Sequence, residues 1–326
     1  MEKVFISRRI PNKGIETLKN AGLEVKVWGS AIPPTYEELL DKTAQADALI
    51  CMLSDKIDSH FLKKNTHLKV ISNYAVGFNN IDIQIATDLG IPVGNTPDVL
   101  TEATADHAFT LMLAVARKIL DSNKSILEGK WKNWEPMGFL GQDLRERTLG
   151  IVGMGRIGQE MARLCQNAFD MKILYFSNTA KPETEKKLHA KKVSFDELLE
   201  QSDVISVHTN LNESSRGIFN KEAFQKMKKN AIFINTARGE IHDEIALTEA
   251  LSNGLIWGAG LDVTNPEPMS IDNPLLSLPN VVITPHIASA TIDTRANMSF
   301  IAAQNIIKGL KKEKLVGFVN PQVYNK

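Results

Sequence analysis

Residues 149–158 read Leu149-Gly150-Ile151-Val152-Gly153-Met154-Gly155-Arg156-Ile157-Gly158. A strand-like apolar run, Leu149–Gly153, ends on the first glycine of a G-x-G-x-x-G spacing, and a helical pattern, Arg156–Ala168, begins inside it. The spacing alone is a weak signal; between a strand and a helix it marks a dinucleotide-binding turn. Gly153 permits the tight turn, Gly155 lets the backbone approach a pyrophosphate, and Gly158 lets the helix sit close to the sheet. The helix start offers unpaired N–H groups and a partial positive charge to the phosphates.

Further along the chain the same rhythm repeats. Strand-like runs at Lys172–Phe176, Lys191–Val193, Val204–His208, Ala231–Asn235, Gly258–Val263 and Val281–Thr284 alternate with helical patterns at Pro182–Ala190, Asp196–Gln201, Lys221–Met227 and Glu244–Asn253. Crossover helices between buried strands describe an open, doubly wound parallel sheet of the Rossmann type. In such a sheet the second strand ends beside the adenosine ribose, where an Asp or Glu accepts both hydroxyls of NAD. Here that strand ends in Ser177-Asn178-Thr179-Ala180-Lys181, and the next carboxylate is Glu183. Ser177, Asn178 and Thr179 are therefore expected at the ribose. With no acid there to repel a 2′-phosphate, the reading favours NADP over NAD.

Upstream, Val4–Ile6, Lys13–Ala21, Glu24–Val27, Tyr36–Ala46, Ala48–Cys51 and Leu68–Ile71 alternate as β-α-β-α, a second α/β layer with parallel strands. Ala105, Phe109, Met112 and Ala116 recur at helical spacing after a candidate Thr101 cap, which predicts one long helix from Thr101 to Asp121 bridging two domains. A loop with Trp131, Trp134, Pro136, Gly138 and Gly141 follows. The final helix, Arg295–Lys311, has too little chain after it to found a domain and is expected to pack on the first one.

The 326 residues fit roughly two domains. Lys and Arg number 38 and Asp and Glu number 38, so no net positive field exists to hold nucleic acid or an acidic membrane surface. Cys51 and Cys165 form neither a disulfide framework nor a metal pair, and read as reduced, buried thiols. Charge interrupts the apolar start at Glu2, Lys3 and Arg8, and the longest apolar run, Ala108–Ala116, is too short to span a bilayer. A cytoplasmic address without a membrane partner is expected. Of the seven histidines, His60, His67 and His189 read as surface residues, His107 falls on the bridging helix, and His208 and His242 lack metal-ligand spacing, so no metal is assigned.

Three residues after strand ends make a chemical set. Arg238 follows the run ending at Asn235, and its planar fork suits a carboxylate and an adjacent carbonyl oxygen. His286 follows the last strand and can donate a proton near neutral pH to a developing alkoxide. Glu267, in Asn265-Pro266-Glu267-Pro268, can favour and orient the imidazolium. Asp262 is an alternative partner for the histidine, or a ligand for the nicotinamide amide; spacing leaves both open.

In order along the chain, Asn73–Asp82, Thr101–Ala108, Gly153–Gly158, Asn235–Gly239, Gly260–Val263, Glu267-Pro268 and Pro285-His286 resemble the D-isomer-specific 2-hydroxyacid dehydrogenases over essentially the whole sequence. The resemblance implies a flavodoxin-like α/β substrate domain, residues 1–99 and 288–326, into which a Rossmann domain, residues 100–287, is inserted. It implies that Arg238 takes the substrate carboxylate, Glu267 tunes the acid, and His286 transfers the proton. It further implies substrate contacts at Leu53 and the Val76–Gly77 backbone, cofactor contacts at Thr104, Arg156, Ile157, Thr236 and Ala237, and a nicotinamide contact at Asp262. Leu53–Ile57 with Val76–Asn80 is most similar to the glyoxylate and hydroxypyruvate reductases, and Trp134 to a tryptophan that reaches a neighbouring subunit there. The expectation is a homodimeric NAD(P)H-dependent reductase of a small 2-keto acid. A 2-ketogluconate reductase, a short phosphoglycerate dehydrogenase and a dinucleotide-sensing, corepressor-like binding protein are the alternatives. Asn210 and Ala288 depart from the family pattern, where proline and glycine are usual, and neither is a catalytic group.

Overall fold

The computed structural model describes residues 1–325, and the chain divides into two compact units. The first unit holds Met1–Leu100 and the chain from Ala290 onward. It runs β1 (Lys3–Ile6), α1 (Asn12–Asn20), β2 (Glu24–Val27), α2 (Tyr36–Thr43), β3 (Ala48–Cys51), α3 (Ser59–Lys64), β4 (Val70–Asn73), α4 (Ile83–Asp88) and β5 (Val93–Gly94). The strands form one parallel sheet in the order β2-β1-β3-β4-β5. Ala48–Cys51 and Val70–Asn73 are buried along their whole length, which is why they read as short unbroken runs rather than alternating ones. The fourth strand starts two residues later than the pattern predicts, because the Leu68 amide is turned back onto the Asn65 carbonyl. Asp58 and Asp82 cap the six-residue helices α3 and α4, which carry too few residues to show a helical period.

The second unit, Thr101–Ser289, opens with α5 (Thr101–Ala116) and α6 (Ile119–Leu127). The single long helix expected across Thr101–Asp121 is thus two. Lys118 adopts a left-handed backbone, φ 51° and ψ 39°, and the Ala116 carbonyl accepts the Gln142 amide at 2.9 Å. A distant loop claims the carbonyl on which the next helical turn would close. There follow β6 (Thr148–Val152), α7 (Arg156–Phe169), β7 (Lys172–Phe176), α8 (Pro182–Leu188), β8 (Lys191–Lys192), α9 (Phe195–Gln201), β9 (Val204–Val207), α10 (Lys221–Lys226), β10 (Ile232–Asn235), α11 (Glu244–Ser252), β11 (Gly258–Leu261) and β12 (Val281–Ile283).

All seven strands are parallel, in the order β12-β11-β10-β9-β6-β7-β8. From β6 the chain builds outward one way to β8, returns to β9 and builds the other way, so the order reverses beside β6. This is the doubly wound pattern, whose ligand crevice lies at the carboxyl ends of the strands where the order reverses. Two cores cover the sheet. Leu111, Met112, Ile151, Met161 and Tyr175 form one with α5 and α7; Phe219, Phe224, Phe233, Leu247 and Leu261 form the other with α10 and α11.

The last helix, α12 (Ile292–Leu310), returns to the first unit and lies against α1 and β4. It begins three residues before the predicted Arg295, capped by the Thr291 hydroxyl. Contact with α1 is close enough that a β-carbon added to Gly14 would lie 2.4 Å from the Ser299 carbonyl oxygen.

Candidate active site

The three glycines of the turn after β6 meet three different demands. Gly153 holds φ +98°, and an added β-carbon there would lie 2.6 Å from the Thr209 amide. One added to Gly158 would lie 2.3 Å from the Gly153 carbonyl oxygen, so this glycine is spent on packing. At Gly155 an added β-carbon would meet nothing within 4 Å, and no side chain caps α7 there. Internal packing does not call for a glycine at 155; space for a ligand against the backbone does. Arg156 and Ile157 open α7 behind it.

The neighbouring strand ends as the sequence predicts. Ser177, Asn178 and Thr179 follow β7 with no carboxylate among them. Tyr175 hydroxyl accepts the Lys181 amide at 2.9 Å and donates to Glu185 on α8. After β10, the buried Thr236 hydroxyl has no hydrogen-bond partner among the described residues. An orphaned hydroxyl at the carboxyl edge, together with the open Gly155 position, fits a bound dinucleotide. Thr104 is buried on α5. Among the described residues no cluster of three His, Cys, Asp or Glu side chains forms a metal site, and no helix is long and apolar enough to cross a membrane.

Arg238, Glu267 and His286 come together in this unit. The Asn235 side chain shapes the loop that delivers Arg238: its amide donates to the Arg238 carbonyl at 2.9 Å and to His242 Nδ1 at 3.0 Å, and its oxygen accepts the Ala237 amide at 2.9 Å. Loops after β10 and β11 touch at Gly239, where an added β-carbon would lie 2.1 Å from the Thr264 carbonyl oxygen. The Thr264 amide in turn donates to Glu267 Oε1 at 3.0 Å, and His286 Nδ1 lies 2.9 Å from Glu267 Oε2. Burial opposes charge on Glu267, but the His286 hydrogen bond and charge, the Thr264 amide and the Arg238 guanidinium together hold its carboxyl below the ordinary value. Burial lowers the Arg238 pKa, against the charges of Glu267 and Glu240; an arginine starts so high that it stays a cation.

Of the two readings left open for Asp262, partnership with the His286 ring is the one the structure overturns, since Glu267 holds that ring. Asp262 is buried and binds the loop around His286 instead, accepting from Thr284 Oγ1, the Ile287 amide and the Ala288 amide. His107 and Thr284 join Asp262 in a network for which sequence spacing gives no sign. The one available signal was a histidine on the buried side of α5, among Thr104, Ala108 and Leu111.

In the first unit, Leu53 stands in the turn after β3, and Val76 and Gly77 in the loop after β4. Asn73 and Asn80 tie these loops together: Asn73 amide donates to the Gly77 carbonyl at 2.8 Å, and Asn80 amide to the Met52 carbonyl at 3.0 Å. Trp134, in the loop between α6 and β6, is 78% exposed.

Residues 109–288 match the family described as D-isomer specific 2-hydroxyacid dehydrogenase, NAD binding domain. The chain is 45% identical over 325 residues to a glyoxylate reductase of Thermococcus litoralis, covering 98% of this chain and 97% of that protein. Among solved structures, it is similar to a protein of Thermus thermophilus, with a TM-score of 0.91 and 42% identity over 97% of this chain and 99% of the other. It is also similar to an NADPH-dependent glyoxylate/hydroxypyruvate reductase of Sinorhizobium meliloti in complex with NADP and malonate, with a TM-score of 0.86 and 29% identity over 98% and 96% of the two chains.

Proposed function

This chain belongs to the D-isomer specific 2-hydroxyacid dehydrogenase family and is an oxidoreductase, and from that premise we propose that it reduces glyoxylate or hydroxypyruvate to the corresponding 2-hydroxy acid with a nicotinamide dinucleotide. The observation that carries the reading is the hydrogen-bonded pair of Glu267 and His286, 2.9 Å apart, within electrostatic reach of Arg238.

With Nδ1 held by Glu267, the free nitrogen of His286 is Nε2, and this is the atom that gives the proton. The charged carboxylate orients the ring and fixes its plane. Arg238 holds the keto acid by its carboxylate and polarises the keto oxygen, two acceptors that its fork fits together. The cofactor's chemistry is a hydride for the keto carbon. As negative charge builds on the oxygen, Arg238 stabilises it, and the Nε2 proton converts the alkoxide to the hydroxyl. One hydride and one proton are added, and His286 is left neutral, to be reprotonated from water. The α7 N-terminus at Gly155, Arg156 and Ile157, with Thr104, Thr236 and Ala237, holds the dinucleotide. Leu53 and the Val76–Gly77 backbone keep the keto-acid contacts implied by the resemblance.

Ser177, Asn178 and Thr179 favour NADP, because they present hydroxyl and amide groups where an acid would repel a 2′-phosphate. A second copy of the chain is proposed to cover the exposed apolar residues of α6 and the following loop, including Ile119, Leu127, Trp131, Trp134 and Met137. Several large apolar side chains left exposed along one stretch of chain point to an interaction surface. In that assembly Trp134 reaches the keto acid of the neighbouring copy.

Initial rates for glyoxylate, hydroxypyruvate, 2-ketogluconate and pyruvate, each with NADH and NADPH, test the assignment. The expected result is fastest turnover of one of the first two acids with NADPH. No cofactor oxidation with any acid would point to a binding protein, and a strong NADH preference would overturn the reading of Ser177–Thr179.

A further inference from the structure

The loop that carries His286 hangs from one buried side chain. Asp262 Oδ1 accepts from Thr284 Oγ1 at 2.6 Å and from the Ile287 amide at 2.8 Å, and Oδ2 accepts the Ala288 amide at 2.8 Å. The Asp262 carbonyl takes the His286 amide at 2.9 Å. Between these anchors His286 itself stands at φ 53°, a left-handed backbone that is unfavourable for a residue with a β-carbon. Such a conformation persists only where its surroundings over-determine it.

His107, on α5, touches this arrangement from outside the loop. Its Nε2 is 2.9 Å from Thr284 Oγ1 and 3.3 Å from Asp262 Oδ1. A threonine hydroxyl has a single hydrogen. At 2.6 Å that hydrogen belongs to the Asp262 carboxylate, so Thr284 Oγ1 must accept, and His107 Nε2 carries the proton that it accepts. A second acceptor, the Leu261 carbonyl, lies 3.4 Å from the same hydroxyl. The His107 donor occupies the hydroxyl's lone-pair side and so keeps its hydrogen directed at Asp262 rather than at that alternative.

We propose that His107 is a positioning residue for the reaction: through Thr284 and Asp262 it holds the His286 loop in its left-handed turn and so sets where the proton is delivered. The inference rests on His286 being the proton donor.

The test is His107→Leu, made in the wild-type chain and in His286→Ala. In the wild-type chain kcat should fall about 10- to 100-fold, the scale of a small misplacement of a reacting group. KM for the keto acid should hold, because Arg238 is untouched, and cofactor Kd by fluorescence should hold as well. In His286→Ala the same change should cost less than about twofold, since two residues acting through one group are not additive. Amide hydrogen exchange over residues 284–289 should quicken in His107→Leu without cofactor, and His107→Gln, which restores an N–H donor, should recover most of the rate. Thr284→Val should repeat the pattern, which keeps the test available should His107→Leu fail to fold. Unchanged kcat and exchange, or an equal loss in both backgrounds, would overturn the proposal. If His286→Ala alone retains full turnover, the proton-donor reading falls and the catalytic role of His107 falls with it, whereas the exchange measurement still reports whether His107 holds the loop.

Discussion

Glu267 binds the His286 ring with one oxygen and the Thr264 amide with the other, at 2.9 and 3.0 Å, so the carboxylate is fixed to its own loop before it fixes the histidine. That two-point attachment makes it an orienting group rather than a freely rotating counter-charge. Glu267→Gln keeps the shape and removes the charge. A charge-assisted hydrogen bond is worth about 1.5–3 kcal/mol, so kcat should fall about 10- to 150-fold, while KM for the keto acid changes little. Steady-state kinetics with saturating cofactor check it; a rise confined to KM would place Glu267 in substrate binding instead.

His286→Ala removes the proposed proton donor, and turnover should fall by about 10²–10⁴-fold, the range of a lost general acid. Circular dichroism and cofactor binding should stay as in the wild-type chain, because the loop's anchors are backbone groups and Asp262, not the imidazole. Turnover within a few-fold of wild type would end the assignment.

Arg238→Lys keeps the charge and loses the fork. The guanidinium's own bond to the loop, from Nη1 to the Ala237 carbonyl at 2.6 Å, goes with it, but the Asn235 side chain still bonds the Arg238 carbonyl and the Ala237 amide and keeps the loop in shape. Loss of one charge-assisted contact to the carboxylate predicts a kcat/KM about 10- to 150-fold lower. A glyoxylate saturation curve reads it directly, and a variant saturating at wild-type concentrations would move the carboxylate site elsewhere.

Much of this was legible in the sequence for physical reasons. Parallel strands such as Ile232–Asn235 are buried on both faces, so they stand out as apolar runs, and the residue that follows each run sits at the ligand edge of the sheet. Arg238 and His286 could be placed by that logic alone. Which acid holds the His286 ring could not, because Asp262 and Glu267 both follow β11 and only the Thr264 amide decides which carboxylate faces the ring. The break at Lys118 was also hidden: apolar spacing runs on through Ile119 and Leu120, and the break comes from the Gln142 amide far along the chain. The link from His107 to Thr284 and Asp262 joins residues no local pattern connects.

The glycine turn separates cofactor binding from folding. Gly155→Ala adds a β-carbon into open space, so the cofactor-free protein should melt within a degree or two of wild type while dinucleotide affinity drops by tenfold or more, as expected if backbone and pyrophosphate meet there. Gly158→Ala places the same carbon 2.3 Å from the Gly153 carbonyl oxygen and should instead lower Tm without cofactor, overpacking costing about 1–3 kcal/mol. Calorimetry with and without dinucleotide distinguishes the two. Equal loss of stability in both variants would mean that Gly155 serves the fold and not the ligand.

His242 gives the fold an acid sensitivity with a defined sign. Its ring is buried, and its Nδ1 accepts from the Asn235 amide at 3.0 Å, so the folded chain prefers it neutral. Burial pushes its pKa down to about 4, against the nearby Asp243 charge. An unfolded histidine takes up its proton near pH 6.5, so between there and pH 4 the unfolded chain binds one proton more than the folded one, and stability falls with pH by about 1.4 kcal/mol per unit. Glu267 and Asp203, held below their ordinary values, begin to give up their share of stability toward the acid end of this window, and do so equally whether or not His242 is present. His242→Asn keeps an acceptor for Asn235 but cannot titrate. Urea unfolding at pH 6.5, 5.5 and 4.5 should therefore give the variant a shallower decline than wild type, whatever its stability at neutral pH, because every other histidine contributes equally to both chains. Parallel declines would mean that His242 is protonated in the folded state and that the Asn235 amide does not rest on it.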